Sequence, residues 1–380
     1  MKLLTWTCTA AAAAFPGVLE TARGRVRQRR FQRLAVTDGA QVGLGEAAAW
    51  PGFGSAPASP IGDEDTGDLA STLERLDDTL GEALVSLGPA LEALLPPLDA
   101  AGCSTAAASV TSTPELRFAI ELALLDLLAR RAGRPLARFL EPSAAPEAET
   151  HLLVHDAETA RSARRDGATR LKVKLVGRLD ADLARVAAVR AAAPDLRLRL
   201  DANGGFDPES ARAFLAALPE AGIDWLEQPL DPARPDALVA TAALARESAI
   251  PIALDESLVD EAAVAAALQL GAASVFVLKP MFCGGFAATR ALVESIRAAG
   301  RRALLTHALE SGIGRTATAH YAAALAPLGL EPGGLAGALD GDIAGTPERR
   351  GSRLRLSERP GLGLELGPSA VATPLAGRTT

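Results

Sequence analysis

Five charged side chains recur through the middle of the chain at nearly one interval. Lys174, Asp201, Glu227, Asp255 and Lys279 are separated by 27, 26, 28 and 24 residues. Asp201, Glu227 and Asp255 offer three anionic oxygen donors, and hard carboxylates with no histidine or cysteine beside them suit Mg2+ (or Mn2+) better than zinc. Any one alone reads as a solvated loop residue or a helix N-cap; their common spacing argues for a shared rim. Asn203 and Glu256 stand beside this set and would orient its members from behind, although Asn203 ahead of Gly204 and Gly205 also fits plain turn chemistry.

The lysines supply the complementary chemistry. In a strand, Lys172 and Lys174 point to one side and Val173 to the other. A lysine turned into a closed barrel is costly unless paired or functional, and positive neighbours lower its pKa toward the range of a general base. Lys279 stands across the mouth, so an acidic C–H held between Lys174 and Lys279 is open to attack from either face. A carboxylate substrate losing its α-proton to lysine, with a metal ion stabilising the enediolate, is the reaction step these groups specify. A lysine ending a barrel strand also fits a Schiff-base aldolase, and a non-catalytic scaffold barrel leaves the inward lysines unexplained.

These residues need strands to carry them. Short apolar runs at 196–200, 223–226, 252–254 and 275–278 lead into Asp201, Glu227, Asp255 and Lys279. Helix-like segments lie between them, such as 208–218 with Asp207 as N-cap and Pro208 at the first helical position. Strands alternating with helices at this period give an α/β fold, a (β/α)7β TIM-like barrel whose chemistry sits at the C-terminal strand ends. Residues 151–155 and 171–175 are its first two strands, 303–307 its seventh, and 328–330 a weak eighth.

At 380 residues the chain exceeds the roughly 250 of a single barrel. Residues 1–105 form an α+β capping domain: strands at 1–9, 25–36 and 41–47, a loop at 51–67, then helices at 68–80 and 81–95 with a linker over 96–113. The barrel occupies 106–338 and opens with a helix from Thr113, Pro114 and Glu115 to Gly133. Residues 339–380 form a tail whose Leu354, Leu356, Leu362, Leu364 and Leu366 suggest edge strands returning to the cap.

The chain is 48% hydrophobic, its formal net charge is −7 and its pI is near 5.3. This balance argues against a nucleic-acid partner, the basic cluster at 23–33 being an edge strand. No apolar run of about 20 residues marks a membrane span. Cys8, Cys103 and Cys283 are scattered, as reduced cytosolic thiols are. Lys2, Leu3, Leu4 and the alanines 10–14 imitate a signal peptide, but Thr5, Thr7 and Thr9 alternate with Leu4, Trp6 and Cys8 at a strand period. A cytoplasmic location is expected, and a homo-oligomer is left open.

In order and spacing, Lys172-Val173-Lys174, Asp201-Ala202-Asn203, Glu227-Gln228-Pro229, Asp255-Glu256-Ser257 and Lys279-Pro280 resemble the enolase superfamily, in particular its muconate-lactonizing-enzyme-like subgroup. The resemblance implies that Asp201, Glu227 and Asp255 bind Mg2+, that Lys174 is the acid/base, that Lys279 is the opposite lysine and that Lys172 supports its neighbour. Two further stretches are similar to o-succinylbenzoate synthases. One is Gly43-Leu44-Gly45-Glu46 followed by Pro51-Gly52-Phe53; the other is Glu310-Ser311-Gly312 within 309–314. They imply substrate contacts at Phe53, Glu310, Ser311 and Gly312, a small-molecule carboxylate substrate, and dehydration of 2-succinyl-6-hydroxy-2,4-cyclohexadiene-1-carboxylate in menaquinone synthesis. Gly54, Pro57, Pro60 and Thr306-His307 depart from that pattern. Dipeptide epimerases, N-acylamino-acid racemases and cycloisomerases share the same site residues. His307 reads as a satisfied inner-barrel histidine, and His151, His155 and His320 as structural.

Overall fold

The computed structural model describes residues 4–21, 24–53, 69–94, 99–336, 343 and 345–364. Three antiparallel strands open the chain, β1 (Thr5–Thr21), β2 (Gly24–Thr37) and β3 (Val42–Ala47), in the order β1-β2-β3. The alanine run continues β1, pairing Ala10 with Gln32 and Ala14 with Gln28. The strand expected over 1–9 therefore runs on to Thr21, 17 residues in all.

The two helices expected over 68–80 and 81–95 are instead one long helix, α1 (Leu69–Ser86), and a short one, α2 (Gly88–Glu92). Gly81 does not break α1. A β-carbon there would stand 2.9 Å from the Gln32 side chain, so the glycine marks close packing on β2. The expected linker holds a further helix, α3 (Ala100–Val110), whose N-cap Asp99 accepts the Gly102 amide. Alanine-rich sequence with one good cap is helical without a conspicuous amphipathic stripe. Residues 54–68, with Gly54, Pro57 and Pro60, lie outside the described residues.

Next comes α4 (Pro114–Arg131), buried on nearly every side, with Gly133 in the left-handed conformation just past its end. Its buried acids hold other elements by their backbone. Glu121 accepts the amides of Phe286 and Ala287, while Asp126 accepts those of Leu44 and Leu362. Gly43 and Gly45 let β3 lie directly on α4, since β-carbons there would come within 2.0 Å and 1.9 Å of the Ala123 and Ala119 carbonyl oxygens.

After α5 (Leu136–Leu140) and β4 (Glu147–Glu149), seven parallel strands follow: β5 (Leu152–Val154), β6 (Arg170–Lys174), β7 (Arg197–Asp201), β8 (Ile223–Glu227), β9 (Ile252–Leu254), β10 (Val275–Leu278) and β11 (Arg302–Leu305). They pair in chain order. Between them run α6 (Ala157–Arg165), α7 (Leu179–Ala192), α8 (Pro208–Ala217), α9 (Ala237–Glu247), α10 (Glu261–Leu270), α11 (Pro280–Cys283) and α12 (Phe286–Ala298), and α13 (Gly312–Leu325) follows β11. Asp207 caps α8 through Ser210 and Pro208 opens it, as the sequence suggests.

The eighth strand is displaced from 328–330. A 3-10 turn occupies Ala326–Leu328, and closure is made later, where Glu331 bridges Leu304 and Gly333 bridges Thr150. A β-carbon on Gly333 would stand 1.6 Å from the Leu305 carbonyl oxygen, so this closing position must stay without a side chain. Below the mouth a buried charge joins the apolar cluster of Trp225, Ala253, Val275, Val277 and Leu304. Arg199, fully buried, lies 4.0 Å from the Trp225 ring and reaches Asp224, Glu331 and His151 Nδ1. Burial pushes its pKa down to about 10 despite Asp224.

The described tail does not extend the first sheet. β12 (Glu348–Arg350) and β13 (Arg353–Arg355) pair with β4 in the order β12-β13-β4. Leu362 and Leu364 are buried in the core shared with α4 but form no strand. Leu366 lies outside the described residues. Among the described residues, no helix is long and apolar enough to cross a membrane.

Candidate active site

Register sets the rim. Lys174 on β6 is paired with Asp201 on β7, and Asp201 with Glu227 on β8, so three charged side chains stand at one height. Asp255 and Lys279 each follow the last residue of β9 and β10. Every strand of the set ends where the sequence places its charged residue.

Lys172 Nζ lies 2.8 Å from Asp201 Oδ2 and 2.7 Å from Glu227 Oε1. Lys174 Nζ is 3.8 Å from Asp201 Oδ2 and donates to Asn203 Oδ1 at 2.8 Å. Lys279 pairs with Asp255, and the Phe53 ring centroid lies 4.2 Å from its ammonium. Asn203 donates its backbone amide to Asp201 Oδ1 and its side-chain amide to Glu256 Oε1. Its φ of 44° places it in the left-handed region, which asparagine tolerates best among residues with a β-carbon. Both second-rank residues, Asn203 and Glu256, are thus joined to the rim.

The electrostatics follow from crowding. Burial opposes charge on Lys172, but Asp201, Glu227 and Asp255 outweigh it and raise its pKa. Burial alone would raise Asp201, yet Lys172 and Lys174 hold it below the usual range. Glu227 is pushed up to about 6 by burial, Lys172 opposing and Asp201 and Asp255 adding repulsion. Glu256 rises to about 7 through burial, then repulsion from Asp255 and Asp201.

Among the described residues no three acidic, histidine or cysteine side chains are gathered closely enough, as they stand, to hold a metal ion. Asp201 and Glu227 already converge on one ammonium, while Asp255 is turned to Lys279. The donor set is nonetheless that of a hard divalent cation: carboxylate oxygens whose mutual repulsion is relieved here by lysine ammonium groups. Chemically, the residues fit Mg2+.

The residues expected to touch substrate divide. Phe53 covers Lys279 and stacks on Phe282, ring centroids 5.1 Å apart. Glu310 is buried, with one oxygen accepting the Ala308 amide and the other without a hydrogen bond; burial lifts it to about 7. Ser311 turns its amide and hydroxyl to Glu46 and caps α13, whose first residue is Gly312. His307 accepts the Leu309 amide at Nδ1 and contacts the Ala336 carbonyl through Nε2, so both nitrogens are used. Burial lowers its pKa to about 4. His320 accepts the Ala137 amide and His151 meets Arg199, both in the interior.

Sequence reasoning gave no role to Gln228 or Glu46. Gln228, with φ 38°, accepts the amides of Asp255 and Ser257 and donates to Leu230 and Ser257, shaping the turn that carries Asp255. Its place beside Glu227 was the only available signal.

Residues 155–370 match the family model described as Enolase C-terminal domain-like. The chain is 34% identical to a hydrophobic dipeptide epimerase of Citrifermentans bemidjiense over 55% of its own length and 60% of that relative's, less than two thirds of it. It is 34% identical to an L-Lys-D/L-Arg epimerase of Methylococcus capsulatus, covering 69% and 75%, and 32% identical to an o-succinylbenzoate synthase of Desulfotalea psychrophila, covering 56% and 60%. Among solved structures, a dipeptide epimerase of Enterococcus faecalis complexed with Mg and the dipeptide L-Leu-L-Tyr superposes with a TM-score of 0.78 at 25% identity, covering 96% and 100%. With more than half of its length matched by the family model, and with strands, rim and lysines arranged as described, the chain belongs to the enolase superfamily.

Proposed function

We infer that this enzyme dehydrates 2-succinyl-6-hydroxy-2,4-cyclohexadiene-1-carboxylate to 2-succinylbenzoate, with Lys174 as acid/base and Asp201, Glu227 and Asp255 as ligands of Mg2+. The observation that carries the reading is an asymmetry between the lysines. The Lys174 side chain is 41% exposed and that of Lys279 is 12% exposed, under the Phe53 ring. One lysine is open to exchange protons, and the other is packed as a fixed charge.

Mg2+, when bound, supplies positive charge to the substrate carboxylate as electrons move into it. Lys174 takes the proton at Nζ from the carbon bearing the carboxylate, leaving an enediolate. The same ammonium then returns that proton to the departing hydroxyl; the C–O bond breaks, water leaves and the ring becomes aromatic. Lys279 stabilises the anionic intermediate from the other face, and Phe53 excludes water there. Lys172, set between Asp201 and Glu227, offsets the charge of the two carboxylates beside Lys174.

A second reading, epimerisation of dipeptides or N-acylamino acids, is favoured by the epimerases among the relatives and needs both lysines to exchange protons. The purified protein with Mg2+ is assayed for 2-succinylbenzoate formation, and for deuterium uptake from D2O into a panel of dipeptides and N-succinylamino acids. Formation of 2-succinylbenzoate, abolished by EDTA and restored by Mg2+, is expected. Efficient epimerisation without dehydration reverses the assignment.

A further inference from the structure

The turn between β11 and α13 is under strain and is restrained from outside the barrel. Leu309 adopts φ 61°, a left-handed conformation that a residue with a β-carbon rarely takes, so its surroundings must impose it. Two restraints are local: Leu309 donates to His307 Nδ1, and Ala308 to Glu310 Oε2. The third comes from β3, more than 260 residues earlier in the chain. Glu46, fully buried, accepts the Ser311 amide at 2.7 Å through Oε1, and through Oε2 the Ser311 hydroxyl and the Gly314 amide at 3.4 Å.

These are the groups that a helix N-terminus offers to an anion. Glu46 therefore occupies, from within the protein, a place that an anionic substrate group would otherwise be free to take. Arg29 is the neighbouring positive charge. It is fully buried, 3.6 Å from Asp77, and interacts with Glu46 and Glu310 without a hydrogen bond to its own nitrogens. Gly45, pressed on the backbone of α4, fixes the height from which Glu46 reaches across.

We propose that Glu46 is a positioning residue: a carboxylate supplied by the first sheet that holds the 306–311 turn in its strained, reactive form and fills the anion position at the start of α13. The carboxylates of the substrate are then bound elsewhere on the mouth. The effect on turnover rests on the reaction proposed above; the restraint on the turn does not.

The test uses the full chain with Glu46→Gln, which keeps the shape but loses the charge and one acceptor, and Ser311→Ala, which keeps the amide bond and loses the hydroxyl. Hydrogen exchange followed by mass spectrometry should quicken about tenfold or more in peptides covering 308–318 of Glu46→Gln, with peptides of β6 to β8 unchanged. Mg2+ affinity by calorimetry should stay at the parent value while kcat falls about tenfold. Adding Ser311→Ala to Glu46→Gln should cost less than the sum of the single effects. Unchanged exchange over 308–318, full additivity, or loss of Mg2+ binding in step with activity overturns the proposal. If the parent protein dehydrates and epimerises nothing, the proposed reaction falls, and the exchange and cycle of stabilities still decide the role of Glu46. Should Glu46→Gln fail to fold, Ser311→Ala alone must show faster exchange over the same peptides, or the proposal fails.

Discussion

Gly45→Ala is expected to damage the protein through contact rather than through chain entropy. The added methyl carbon would stand 1.9 Å from the Ala119 carbonyl oxygen. A comfortable separation is about 3.5 Å, so β3 and α4 must part by roughly 1.5 Å. Overpacking of this kind costs about 1–3 kcal/mol, which lowers the melting temperature by about 1–4 °C in a chain of this size. Gly133→Ala is the comparison. No atom lies within 4 Å of its β-carbon, but φ is 64°, so the cost is conformational, about 1 kcal/mol. Gly133→Asn should recover part of that loss, because asparagine enters the left-handed region more readily. Scanning calorimetry of the three variants separates the two causes, and kcat/KM of Gly45→Ala should drop beyond the unfolded fraction because Glu46 moves with its neighbour. Melting of Gly45→Ala indistinguishable from the parent, within about 0.5 °C, would refute the contact argument.

Lys174→Ala should lose α-proton exchange with D2O by about a thousandfold or more while keeping its circular dichroism and Mg2+ affinity; retained exchange contradicts the base assignment. Asp255→Asn should weaken Mg2+ binding at least about tenfold in calorimetry yet stay folded, because Gln228 still holds the backbone amide of residue 255. Glu121 is lifted from 4.5 to about 7, mainly by burial, so the folded state binds its proton more tightly than the unfolded state. Its contribution is full below pH 4.5 and is lost as pH rises to about 7, by up to about 3 kcal/mol, so Glu121→Gln should gain on the parent over that window in urea melts. A difference between the two that does not change with pH would overturn this.

The rim was legible because its spacing is set locally. One strand plus one helix with short turns takes 24–28 residues here, and each apolar run ends on the side chain that chemistry requires. Lys172 was legible too, since alternation alone puts it on the face of Lys174. What escaped was either locally silent or distant in sequence. Helix α3 has small residues and one cap rather than a stripe. Gly333 closes the barrel because it lacks a side chain, which removes the signal of a strand. Glu46 and Ser311 meet only in the folded protein, and no local pattern on β3 announces a partner 265 residues away. Arg199 carries no local sign of its partners, since Trp225, Asp224 and Glu331 close around it only in the fold.

Helix α4 is covered on nearly every side, and neither portion of the chain alone could cover it. Strand β3 lies along one side, α12 hangs by its first amides from Glu121, and the tail is pinned at Asp126. Severing the polypeptide beside Pro114 would leave one fragment with a bare greasy rod and the other with an open slot. The molecule should thus melt in a single cooperative step, its two nominal halves sharing one fate.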